Sequence, residues 1–245
     1  MNKNSIDLYN QFVNSFRNYS STRKKYLNQI DSLIINFINT NIEGKIINIL
    51  DVGCGDGVRA YNLSKKIKLN KLSLLDNCPN MVKKCEKLKD VTLYNQDIVK
   101  LKGEILKNNF EVITCLWNVI GHIEGIENRS LALKNMRKIL NKNGYIFLDV
   151  SNRYNLKHYG LKIVLKNVVQ DLLKKNPNNG DVYFNMKVDQ DKIIPTKVHF
   201  FTLNEIKKMF KASGLNIYKI LFIDYKSGKI MPNQFLGQIF VIAKN

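Results

Sequence analysis

Long apolar runs are missing from this chain of 245 residues. None approaches the roughly 20 residues that span a bilayer, and Met1 to Asn10 holds no apolar stretch of the signal-peptide kind. A cytoplasmic protein with no membrane partner is the expectation. Cysteine is scarce: Cys54, Cys78, Cys85 and Cys115 form no C-x-x-C pair and have no His at ligand spacing. That excludes a structural zinc site, leaves free thiols, and predicts no metal. Internal repeats and low-complexity linkers are absent as well. Acids are few, 20 against 39 bases, for a formal net charge of +19. Such a charge points first to a polyanion. Nearly all of the bases are Lys, however, and Asn and Ile are abundant beside them, as AT-rich coding produces. The basic runs, such as Lys65-Lys66-Ile67-Lys68, are scattered along the chain. A nucleic-acid partner is therefore possible but not favoured, and the oligomeric state is not legible.

What is present is ordinary globular composition, 44% hydrophobic and 24% charged. Residues 5–40 show helical periodicity in two stripes, Tyr9, Phe12, Val13 and Phe16, then Tyr26 to Phe37, with a break at Ser20-Ser21-Thr22. Short β-branched runs then alternate with helical segments. The strands are 46–50, 72–75, 91–94, 110–117 and 145–150; the helices lie near 58–67, 79–89 and 126–140. This predicts a parallel sheet covered on both faces. Residues 151–200 break the alternation with a helix over Leu161 to Leu173, a turn at Pro177 to Gly180, and two strand-like stretches. Thr202 caps a helix over 203–212, with Glu205 at the capping-box position, and strands over 217–223 and 235–243 finish the chain. The organisation expected is an N-terminal helical cap over 1–45 and a domain over 46–245 with a lid insertion at about 151–200.

One segment carries chemistry: Asp51-Val-Gly53-Cys54-Gly55-Asp56-Gly57, where a strand runs through glycines into a helix. Glycines allow positive φ and close approach of a ligand, and a helix start offers free N–H groups. Gly55-x-Gly57-x-x-Ala60 also satisfies a dinucleotide pattern. Asp51 separates the readings, because a carboxylate inside the turn repels a pyrophosphate and suits an ammonium. Asp76 ends the second strand, about 25 residues further on, where an acid holds a ribose diol. Asp97, after the third strand, can accept from an adenine amino group. Ammonium, ribose and adenine in that order describe S-adenosylmethionine.

With these residues the chain resembles the class I S-adenosylmethionine-dependent methyltransferases. Asp51 to Gly57 is similar to their first motif, Asp76-Asn-Cys-Pro-Asn-Met81 to their D-x-S-x-x-M stretch, and Asn95-Gln-Asp97-Ile98 to their third. Phe110 to Trp117 resembles the fourth, and Leu140 to Gly144, running into the next strand, resembles L-x-P-G-G. The resemblance implies a three-layer αβα Rossmann-like fold with a seven-stranded, mostly parallel sheet whose last strand is antiparallel. By position, it implies that Asp51 orients the methionine ammonium and that Gly53, Cys54 and Gly55 line the methionyl group. Asp76 would hold the ribose, followed by Asn77 where the family more often has an acid or a hydrophobe. Asp97 would bond the adenine amino group between Met81 and Ile98, which equally fit plain core. Leu116 and Trp117 would form the floor. Arg23 could pair with the methionine carboxylate or stay solvated.

Methyl transfer from a sulfonium needs an oriented acceptor and sometimes a base. His122, after the fourth strand, fits a general base near neutrality or a ring packed under the cofactor. Tyr154 and Asn152, after the fifth, fit acceptor contacts or turn residues. His158, Tyr159 and His199 read as lid packing. The expected function is methyl transfer to an N or O nucleophile of a small molecule. The alternatives are a tRNA methyltransferase, which the absence of N/D-P-P-Y/F at Asn118-Val-Ile-Gly disfavours, and a non-catalytic cofactor-binding subunit.

Overall fold

The computed structural model describes residues 3–42, 46–189 and 192–245. The expected boundary at 45/46 falls at the edge of 43–45, which lie outside the described residues. Three helices come first: α1 (Lys3–Phe12), α2 (Phe16–Ser21) and α3 (Lys24–Asn41). In α3, Tyr26, Ile30, Ile34 and Ile38 recur every four residues and are buried, which seats the helix on a sheet face.

The alternating part follows as β1 (Ile47–Val52), α4 (Val58–Ser64), β2 (Leu69–Asp76), α5 (Pro79–Cys85), β3 (Val91–Asn95), β4 (Phe110–Cys115), α6 (Ile126–Ile139) and β5 (Leu140–Val150). The insertion contributes α7 (Leu156–Tyr159), α8 (Leu161–Leu173), β6 (Asp181–Asp189) and β7 (Lys192–His199). The chain closes with α9 (Leu203–Ser213), β8 (Asn216–Ile223), β9 (Ile230–Met231) and β10 (Gln238–Lys244). Eight strands form one sheet in the order β3-β2-β1-β4-β5-β10-β8-β9, and β6 and β7 pair separately. β1 to β5 run parallel, while β10 is antiparallel to both β5 and β8. The expected α/β architecture is therefore present, with the two-residue β9 added at one edge. Two residues are too short a run to betray a strand in sequence.

Alternation along the strands divides the core. Leu50, Val52, Ile113 and Leu148 face α6 and α9, whereas Ile49, Val112, Phe147 and Phe240 face α3 and α4. β1 runs on to Val52, β2 begins at Leu69 instead of 72, and β5 begins at Leu140 instead of 145, so the 140–144 segment is strand; two further strand ends differ for local reasons. β4 stops at Cys115 instead of 117 because Trp117 and Asn118 take positive φ, 62° and 59°. β10 starts at Gln238 instead of 235 because Asn233 holds a turn, its Oδ1 accepting the Phe235 N–H at 3.0 Å.

The insertion is tied to the body by buried charge. Arg129 of α6, 1% exposed, donates to Asp181 at 3.3 Å, to the Ile123 carbonyl at 2.9 Å, and lies 3.8 Å from Glu205. His199 bridges Asp181 and Glu205 at 2.7 and 2.9 Å. Thr202 caps α9 as expected, accepting the Glu205 N–H at 3.1 Å. The Glu205 carboxylate does not complete a capping box; it turns to His199 and Arg129. Replacing Arg129 by Ala takes the guanidinium from Glu205 and leaves Asp181 with Lys197, 3.5 Å away, as its remaining cation. Breaking a buried pair in this way costs about 3–5 kcal/mol, so Arg129→Ala should lower the urea midpoint sharply, and an unchanged midpoint would contradict the clamp.

Candidate functional site

β1 pairs with β2 on one side and β4 on the other, so the chain order reverses between β1 and β4. Open parallel sheets bind ligands at the carboxyl ends of strands beside such a reversal. Asp51 and the glycine turn sit there. Gly53 and Gly55 have φ of 69° and 56°, and a Cβ at either would lie 2.4 Å from Val119 or 2.9 Å from the Phe16 ring.

Asp76, at the end of β2, accepts the Gly55 N–H on Oδ2 and the Cys78 N–H on Oδ1, both at 2.9 Å. These bonds fasten the glycine turn to the neighbouring strand and aim the carboxylate. Burial nevertheless raises its pKa to about 6. Asp51 accepts the Thr114 hydroxyl at 2.5 Å, and burial outweighs that bond to raise its pKa to about 6 as well. Both side chains of Asp76 and Asp51 are 8% exposed. Beside Asp76, the amide oxygen and nitrogen of Asn77 are buried and have no partner. Asp97 starts a 3-10 turn over Ile98–Lys100 and accepts the Val99 N–H at 2.9 Å. Ile98 joins the apolar core on the α6 side, and Met81 is buried on α5. Cys54 and Leu116 are buried next to the turn.

Trp117 is fixed from three sides. Its N–H donates to Asp149 Oδ1 at 2.5 Å, its indole N–H to the Tyr225 hydroxyl at 3.1 Å, and Tyr19 stacks on its ring at 5.7 Å. Tyr26 donates to the other Asp149 oxygen at 2.7 Å. Asp149, at the end of β5, thus positions the floor, a role its place in a stretch of polar residues did not single out.

Helix α1 covers this surface. Asn10 accepts from Cys78 Sγ at 3.1 Å and its carbonyl accepts from Asn80 at 3.3 Å. Phe16 packs on Trp117 at 5.8 Å. The Tyr9 hydroxyl lies 3.2 Å from His122 Nε2. Burial drives the His122 pKa down to about 4, so the ring is neutral at physiological pH and shares a hydrogen bond with the phenol. Sequence periodicity gave Tyr9 and Phe16 only as an apolar stripe; their aromatic character was the one signal of a covering role.

A cavity of ≈ 220 Å³ opens between α1, Trp117, the β6–β7 hairpin and Tyr225, and a cleft of ≈ 50 Å³ lies at Asp76, Gly53 and Gly55. His122, His158, Tyr159 and Arg23 all reach the larger space. Arg23 lies over the Tyr225 ring at 4.6 Å, and its Nε is buried without a partner. Tyr154 is not brought there: its hydroxyl donates to Asp171 of α8 at 2.7 Å. Asn152 also turns away, donating to the Gln234 and Gly237 carbonyls as a brace under β10. His199 serves the clamp described above.

A family model described as a methyltransferase domain matches residues 19–220. The chain belongs to this methyltransferase family. A ubiquinone biosynthesis O-methyltransferase from Aliivibrio fischeri is 26% identical over 166 residues, 65% of this chain and 67% of the relative. Among solved structures, an S-adenosylmethionine-dependent methyltransferase from Clostridium acetobutylicum matches with TM-score 0.61 and 20% identity, covering 91% of each chain. A SAM-bound amino pentose methyltransferase from Micromonospora echinaspora gives TM-score 0.63 at 13% identity, covering 94% of this chain and 97% of that one. At such identities the structures establish shared fold. The methyltransferase carries a donor set that suits S-adenosylmethionine. Two buried carboxylates lack a full counter-charge, an orphaned amide stands beside one of them, and the glycine turn leaves room for no side chain.

Two consequences can be measured on the methyltransferase. Removing the Asp76 carboxylate deletes a charged acceptor worth roughly 1.5–3 kcal/mol. Asp76→Ala should therefore weaken S-adenosylhomocysteine binding ten- to a hundredfold in calorimetry, and a folded variant with unchanged affinity would remove Asp76 from the site. For Asp51 the sign follows from burial. Its folded pKa, about 6, lies above the 3.8 of an ordinary aspartate, so the folded state holds the proton more tightly. Stability tied to this group is present below pH 3.8 and is lost as pH rises through about 6. Asp51→Asn keeps an acceptor for Thr114 and removes the charge. The ligand-free variant should melt higher than wild type at pH 7.5, with the gap closing toward pH 4. A gap that widens on acidification would contradict the burial argument.

Proposed function

We propose that this methyltransferase transfers a methyl group from S-adenosylmethionine to an N or O nucleophile of a small organic acceptor held in the ≈ 220 Å³ cavity beside Trp117 and His122. The observation that carries the reading is this cavity: aromatic rings from the N-terminal helices and the insertion wall it in at the carboxyl end of β4. The bound cofactor supplies an already activated methyl group, so the chain's own task is positioning and exclusion of water.

In this reading Asp76 and Asn77 hold the ribose hydroxyls. Asp97 accepts from the adenine amino group, with Met81 and Ile98 beside the ring. Asp51 and the backbone of Gly53, Cys54 and Gly55 meet the methionyl end, with Leu116 and Trp117 beneath. Arg23 offers a cation to an acidic group in the cavity. His122, neutral and buried, orients Tyr9; with its pKa near 4 it is a weak base at neutral pH. Tyr154 braces the insertion. The ≈ 50 Å³ cleft at Asp76 is far below the roughly 300 Å³ of small-ligand sites. Helix α1 and Phe16 therefore swing aside to admit the cofactor and close over it again.

One observation favours the tRNA reading as the rival. A groove of ≈ 700 Å³ between α3 and α4 reaches Asp51 and presents Arg17, Lys24, Lys65 and Lys66. Two acids temper it, since Arg17 pairs with Asp56 and Arg59 with Asp31, both at 2.8 Å. A tritiated-methyl assay on total tRNA and on a metabolite extract, at low and physiological salt, separates the two. Label in a small molecule should persist at physiological salt, where nonspecific phosphate contacts fade. Label confined to tRNA under that condition would overturn the proposal.

A further inference from the structure

Helix α8 of the insertion has its polarity inverted. The side against the body is polar. Asn167 donates to the Arg153 carbonyl at 3.2 Å, Gln170 accepts from Arg153 at 3.1 Å, and Asp171 accepts from Arg153 and Tyr154 at 2.9 and 2.7 Å. Val164 is the helix's one buried apolar residue. The side turned to solvent is apolar: Leu161 is 61% exposed, Leu165 53%, Leu172 74% and Leu173 79%. Positions 161, 165, 169 and 172 make a single stripe at helical spacing. Helices bathed in water do the reverse, so the stripe is made to be covered.

We propose that this stripe rests on an anionic lipid surface. Lys162 and Lys166 border it, and Lys174 and Lys175 follow its end. None of the four has an acidic partner among the described residues, and the helix's single acid, Asp171, is taken up by Arg153. An apolar face edged by lysines suits the boundary between headgroups and acyl chains, where the stems lie along the lipid and the ammonium groups meet phosphates. A second copy would bring the same lysine borders together, like against like. The helix lies in the plane: its 13 residues are too few to cross, and among the described residues no helix is long and apolar enough to do so. The expectation of no membrane partner rested on the missing spanning run, which a surface contact does not need. The segment that leads into α8 borders the cavity. Tyr159, two residues before α8, stacks on Phe200 at 5.4 Å and lines the cavity, as does the partly exposed Phe184. If that cavity takes the acceptor, as proposed above, an apolar acceptor can enter from the bilayer side.

Vesicle flotation tests the contact independently of any methyl transfer. The full chain is mixed at physiological salt with phosphatidylcholine vesicles, alone or containing phosphatidylglycerol. Wild type should float with the anionic vesicles. L172E/L173E should lose at least about tenfold in partitioning, since two leucine side chains no longer leave water. K162E/K166E should lose the preference for phosphatidylglycerol. These side chains are exposed, so circular dichroism and melting should match wild type. Wild type that stays with the unbound fraction would overturn the proposal. So would an L172E/L173E variant that floats like wild type, which would leave only the net charge as the cause. A dimer in sedimentation that L172E/L173E dissolves, without vesicle binding, would assign the stripe to a second copy instead.

Discussion

The carboxylate of Asp76, held by two backbone N–H groups, is the constraint on which the rest of the site depends. Gly55 belongs to the turn after β1 and Cys78 to the start of α5, so one side chain joins two crossovers of the sheet at its ligand-binding edge. The bonds fix the turn in its positive-φ path, and along that path Val119 and the Phe16 ring approach Gly53 and Gly55 so closely that any Cβ would clash. The cost is a carboxylate kept out of water with its pKa pushed upward. A ligand with hydroxyl donors relieves that cost at Asp76, and one with a cation relieves it at Asp51. Under the proposed function, ligand affinity and the instability of the empty site would have one physical origin, the burial of these two charges.

The covering helices α1 and α2 obey a related logic. Tyr9, Phe16 and Tyr19 each touch His122 or Trp117 through ring edges and faces rather than through ion pairs. Such contacts contribute only about 0.5–1.5 kcal/mol apiece beyond the area they bury, so the segment can part from the sheet without breaking a buried charge pair. Trp117 cannot move as freely. Asp149 holds its N–H, Tyr26 of α3 holds Asp149, and Tyr225 holds the indole. Under the proposed function, a rigid floor beneath a detachable roof would let the site exclude water during transfer and release the spent cofactor.

Sequence was most legible where backbone geometry forces residue choice. Asp51, the glycines and Asp76 could be placed because a turn of positive φ demands glycine and because acids at strand ends are costly without purpose. The insertion helix over Leu161 to Leu173 was also legible, since its apolar period is strong. Its orientation was not, because periodicity reports a stripe and is silent about which side the body takes. Tyr154 and Asn152 were misleading for a similar reason. Their place after β5 put them near the acceptor, but Asp171 and the Gly237 carbonyl, distant in sequence, turn them away. Asp149 and Arg129 went unnoticed because each sits among other polar residues, and sequence does not reveal which of them is buried against a distant partner.

The insertion explains why that polarity could invert. A helix in water usually docks through its apolar stripe, since burial of that area drives folding. Here the docking surfaces are polar: Arg153 gathers Asp171 and Gln170, and Arg129 gathers Asp181 with His199 and Glu205 behind it. Each pair is buried or half-buried, so breaking it is costly, and these pairs anchor α8 and the β6–β7 hairpin beside modest apolar contacts, Val164 on α8 and Met186 and Ile194 against Leu8 and Phe12. Polar glue inside frees the leucines outside. A protein that needed the insertion only as a lid would gain by turning α8 half a revolution, burying the leucines and wetting Asn167, Gln170 and Asp171. The chain forgoes that burial and holds the inward side of α8 through these polar pairs. The outward stripe is therefore a consequence of specific side chains at 153, 167, 170 and 171, and selection for an apolar outer surface is the simplest reason for such residues to sit on the inner one.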